Sequence, residues 1–68
     1  MSAEDAPPPG EVLPLQDRIL DILGARPQTR KQLLEALNVV PATLDYVLAR
    51  MMARKYVHLD FVSGRYHA

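Results

Sequence analysis

The chain has no cysteine. That excludes disulfide staples, thiolate zinc sites and a cysteine nucleophile, and it fits a reducing compartment. Serine is almost missing as well, with Ser2 and Ser63 alone. There is no paired-carboxylate motif and no glycine-rich phosphate loop. The expectation is a protein with no enzyme chemistry, no cofactor and no small-molecule substrate. No apolar run approaches the roughly 20 residues that cross a bilayer, so no membrane partner is expected. The start, Met1-Ser2-Ala3-Glu4-Asp5, is acidic and lacks the basic and apolar regions of a signal peptide. The expected location is cytoplasmic. The sequence contains no internal repeat.

What is present is enough for one small domain. The 68 residues allow a single thin core, and a hydrophobic share of 49% lets it collapse. Net charge is zero, but the charge is uneven. Glu4, Asp5 and Glu11 lie in a first stretch without Lys or Arg, whereas from Ala25 onward seven basic residues face three acidic ones. The second half is therefore mildly basic, which suits a phosphate-binding face.

Residues 1–12, with Pro7-Pro8-Pro9-Gly10, read as a disordered, Pro-rich acidic tail, and residues 13–68 as the folded domain. A first helix is expected from Pro14, where a missing N–H has no intrahelical partner, to Leu23, with Gly24 as a left-handed stop. Leu15, Ile19, Ile22 and Leu23 form its apolar stripe, with Gln16, Asp17, Arg18 and Asp21 on the other side. Leu20 lies off the stripe. Ala25 to Gln28 is a connector. Thr29-Arg30-Lys31-Gln32 has the spacing of a capping box, and Leu33, Leu34 and Leu37 point a second helix inward. Asn38 can close that helix in the left-handed conformation. Pro41 opens a third helix whose Leu44, Val47, Leu48 and Met51 face the core. Ala42, Thr43, Asp45, Tyr46, Ala49 and Arg50 lie on its opposite face. From Tyr56 the period changes to two: Val57, Leu59 and Phe61 alternate with His58 and Asp60, as in a half-buried strand. Ser63-Gly64 would turn it as a two-residue loop, pairing Phe61 with Tyr66 and Asp60 with His67. The fold class is therefore mainly α with a small β-hairpin (α+β).

Three helices and a hairpin in this order resemble the winged helix-turn-helix domains of bacterial ArsR- and MarR-type transcriptional regulators. The stretch Thr29 to Val39 is similar to their second helix and turn, with Asn38 where glycine is usual. Pro41 to Met51 is similar to their recognition helix, and Lys55-Tyr56-Val57 stands where "Gly-Leu-Val" commonly leads into the wing. Val40 stands where a Ser or Thr cap is usual. The resemblance implies a third helix in the major groove of DNA and a wing on backbone or minor groove. On that basis Thr43, Tyr46 and Arg50 are candidate base readers, and Arg50 leads because a guanidinium grips guanine O6 and N7 together. Arg30 and Lys31 at the start of the second helix, Arg54 at the end of the third, and Ser63 and Arg65 at the wing are candidate backbone contacts. Double-stranded DNA is the expected partner, bound as a homodimer if binding is tight.

Two other readings stand beside this one. Near-zero charge, Asp45 and the alanines Ala42 and Ala49 on the third helix suit a protein-binding winged helix, an adaptor or inhibitor of a larger complex. On Asp45 itself, an exposed anion can accept from a cytosine amino group or simply be solvated or paired within its helix. Finally, His58, Asp60 and His67 could share one hairpin face, as metal ligands or as a plain Asp–His cross-strand pair; no metal is expected.

Overall fold

The structure, a computed structural model, describes residues 9–68. It consists of three helices and a small antiparallel sheet, an α+β architecture: α1 (Pro9–Ala25), β1 (Gln28–Thr29), α2 (Arg30–Leu37), α3 (Pro41–Ala53), β2 (His58–Asp60) and β3 (Arg65–His67). The sheet order is β1-β3-β2, so β3 is central. Among the described residues no helix is long and apolar enough to cross a membrane.

The helix α1 begins at Pro9, five residues before the expected start. Of the expected tail, residues 1–8 lie outside the described residues, and the stretch from Pro9 to Val12 is helix instead. Pro9 is the first described residue of α1, and Glu11 in the first turn complements the helix dipole. Pro14 then falls inside the helix, where it costs the hydrogen bond its N–H would make to the Gly10 carbonyl. The added turns bury Val12 and, against expectation, Gln16, whose Nε2 is buried without a hydrogen-bond partner. Gly24 is an ordinary helical residue and does not stop α1. The stop is Pro27, which disfavours helical backbone at Arg26.

The second helix forms as its sequence dictates. The Gln32 N–H donates to Thr29 Oγ1 at 3.2 Å and the Thr29 N–H donates to Gln32 Oε1 at 2.8 Å, closing the capping box. Asn38 takes the left-handed conformation at φ 54° and its N–H bonds the Leu34 carbonyl. Val40 gives α3 no side-chain cap, and Pro41 starts it. At the far end the Tyr56 N–H reaches the Met51 carbonyl and the Lys55 N–H the Met52 carbonyl, with Lys55 left-handed at φ 63°. This is a Schellman closure with lysine where glycine is usual.

The core gathers Leu15, Ile19 and Leu23 of α1, Leu33 and Leu37 of α2, and Leu44, Val47, Leu48 and Met51 of α3, with Val57 beneath the sheet. Leu20, Ile22 and Leu34 pack partly buried at its edge.

The hairpin register differs from the expected one by two residues: Leu59 pairs with Tyr66, Asp60 with Arg65 and His58 with His67. A two-residue hairpin turn at Ser63-Gly64 would need positive φ at Ser63 in either favoured type, and only Gly64 has it, at 72°. The connection is instead four residues, 61–64. Within it the Val62 N–H donates to Asp60 Oδ1 at 2.9 Å and the Gly64 N–H to the Asp60 carbonyl at 2.8 Å. A shift of two keeps Leu59 and Tyr66 on the inner face. It carries Phe61 off the strand and into the loop.

Candidate nucleic-acid interface

The capping box sets Arg30 and Lys31 in the first turn of α2, and both are exposed. Arg30 is not idle. Its Nε donates to Asp45 Oδ1 at 2.7 Å and its Nη2 to Asp45 Oδ2 at 3.0 Å, a two-pronged grip that ties α2 to α3. It is the one ion pair among the described residues. Asp45 is therefore neither simply solvated nor paired within its own helix, and its carboxylate is already occupied by a guanidinium. Lys31 has no such acid beside it.

Asp45 has its pKa held below the ordinary carboxylate range, chiefly by the Arg30 hydrogen bond, while that bond raises Arg30. A depressed folded pKa stabilises the fold above the unfolded value, and this contribution fades as pH falls through the folded one. The pair is half-exposed, so the gain is small. Melting midpoints of the wild type and Asp45→Asn are expected to differ slightly at neutral pH and to converge in acid. A gap that persists in acid would show that the ionised carboxylate is not its source.

On α3 the three candidate base readers share one flank, and all three are half-buried. Thr43 lines an open cleft of about 440 Å³ with Pro14 and Arg18 of α1 and Val39 and Val40 of the turn. Tyr46 packs against the core. The Arg50 guanidinium lies 5.8 Å from the Tyr46 ring centroid, and its Nε is buried without a partner. The fully exposed face of α3 holds Ala42, Asp45, Ala49 and Ala53 instead. Helical periodicity gave the angle of each side chain, but not the neighbours that cover Tyr46 and Arg50. Arg54, the C-cap of α3, is exposed.

At the hairpin, Ser63 and Arg65 are exposed, and the Arg65 N–H donates to Ser63 Oγ at 3.3 Å. Backbone and side-chain donors of Val62 and Ser63 depress the Asp60 pKa. Phe61 and Val62 are 89% and 98% exposed, although the alternation in the sequence placed Phe61 in a half-buried strand. His58 and His67 stack across the strands with centroids 5.3 Å apart, so His67 faces His58 and not Asp60. Among the described residues no group of three His, Asp or Glu is placed to hold a metal ion.

The exposed cations Lys31, Arg54 and Arg65 thus sit at the start of α2, the end of α3 and the start of β3. Arg65 also lines a second cleft with Arg26, which sequence reasoning passed over as part of a connector. No protein-family model matches the chain, and neither a curated protein nor a solved structure shows significant similarity to it.

Proposed function

We propose that the chain is a winged helix-turn-helix domain that binds duplex DNA and serves transcriptional control in the cytoplasm. In this reading α3 enters the major groove and the β2–β3 hairpin is the wing, resting on backbone or minor groove. The observation that carries it is the partition of charge. On α1, Glu11, Asp17 and Asp21 outnumber Arg18. From Ala25 onward, once Arg30 and Asp45 cancel, six cations stand against Glu35 and Asp60. Lys31 and Arg54 bracket the α2–α3 pair and take phosphates. Arg50 is stacked on Tyr46 and offers its terminal Nη groups to a guanine edge, and Thr43 contributes a hydroxyl at the groove's margin. No catalysis and no cofactor are part of the reading.

Titration of a labelled mixed-sequence duplex tests it. Binding that is measurable at low salt and weakens steeply as salt rises supports it, because released counterions drive such association. Absence of binding at low salt overturns it. The exposed Phe61 and Val62 favour a second reading, docking of the hairpin tip against an apolar pocket of another protein. That reading gains if the duplex fails to bind.

A further inference from the structure

We propose that Arg26, Gln28, Gln32 and Arg65 form a preassembled cleft for a phosphodiester of the nucleic-acid backbone. The proposal rests on the DNA-binding reading and deepens it: Arg65 already belongs to that reading, and Arg26, Gln28 and Gln32 are added to it. The cleft has a volume of about 490 Å³ and its lining is completed by Pro27. Its four polar side chains come from the connector before β1, from β1, from the first turn of α2 and from β3. Topology brings them together: β1 pairs with β3, which sets Thr29, the cap of α2, opposite Arg65.

The chemistry of the lining is one-sided. No carboxylate lines the cleft, and neither arginine has an ion-pair partner among the described residues. Gln32 spends its Oε1 on the Thr29 N–H, so the group it has left is the amide NH₂, a donor. Two arginines and Gln32, whose amide has a donor left, thus line one open space. A planar guanidinium suits the paired oxygens of a phosphate, and two arginines without a carboxylate disfavour a divalent cation there. The cleft also lies at the junction of α2 and the hairpin, with Arg65, a cation that the DNA reading already uses, in its lining.

Inorganic phosphate, titrated into the full chain at constant ionic strength and followed residue by residue in NMR spectra, probes the cleft alone. Saturable shifts at Arg26, Gln28, Gln32 and Arg65 are expected, lost in Arg26→Ala. Shifts that are linear and spread over all basic residues overturn the proposal. A duplex titration of Arg26→Ala separates it from the wider reading. The salt slope of binding should fall by about 0.9, the loss of one phosphate contact, while Arg18→Ala on α1 leaves it unchanged. Tight duplex binding with a slope untouched by Arg26→Ala overturns the cleft and leaves DNA binding standing. Saturable phosphate shifts without duplex binding overturn the DNA reading and, with it, the assignment of the cleft to a nucleic-acid phosphodiester.

Discussion

Leu48→Ala is expected to strip the domain of much of its stability, about 2–5 kcal/mol. Leu48 is 1% exposed and lies among the other inward residues of α3, Leu44, Val47 and Met51. Truncation loses the transfer energy of its methyl and methylene groups and leaves a void that three short helices have little means to fill. A folded chain of this length holds roughly 3–10 kcal/mol in all, at the usual stability per residue. The loss is thus a large part of the total. In urea melts the midpoint should collapse, or the native baseline should vanish. Thr43→Ala, on the half-buried flank of the same helix, should move the midpoint little. Equal damage from both would mean that the two sides of α3 are wrongly assigned.

The second large effect is on binding. The reading assigns phosphates to Lys31, Arg54, Arg65 and Arg26, which are exposed and carry no ion pair among the described residues, so about four phosphate contacts are counted for one chain. Four contacts give a slope of roughly −3.6 for log affinity against log salt. A rise from roughly 50 to 200 mM salt should then weaken duplex binding on the order of 100-fold. Fluorescence anisotropy of a labelled duplex reads this in one series. Arg30 is left out of the count because Asp45 already neutralises it. A slope near zero would mean that contacts other than phosphates hold the complex.

The sequence showed most where local chemistry decides. Thr29 and Gln32 define the start of α2, Asn38 its end, and the spacing of Leu44, Val47, Leu48 and Met51 the inner face of α3, because each depends on residues within two turns. The misplaced features depend on rivals or on distant partners. Pro9 and Pro14 are equally legal first-turn residues, and burial of Val12 favours the earlier one. Gly24 permits a left-handed stop without enforcing it, while Pro27 enforces one. The strand β1 has two residues, too few to show alternation, and exists because β3 lies beside it. The Arg30–Asp45 grip and the Arg26–Arg65 cleft join residues far apart in sequence. No spacing rule announces either. The helical wheel puts Tyr46 and Arg50 on the outward face of α3, whereas both are half-buried, through packing that the wheel does not contain.

The face presented to DNA can be mapped in a single experiment: residue-resolved NMR shifts of the full chain on adding a mixed-sequence duplex at low salt. Shifts should concentrate at Arg26, Lys31, Thr43, Tyr46, Arg50, Arg54 and residues 63–65, and spare Asp17 and Asp21 on α1. No shifts at low salt, or shifts centred on α1, would contradict DNA binding through α2, α3 and the hairpin.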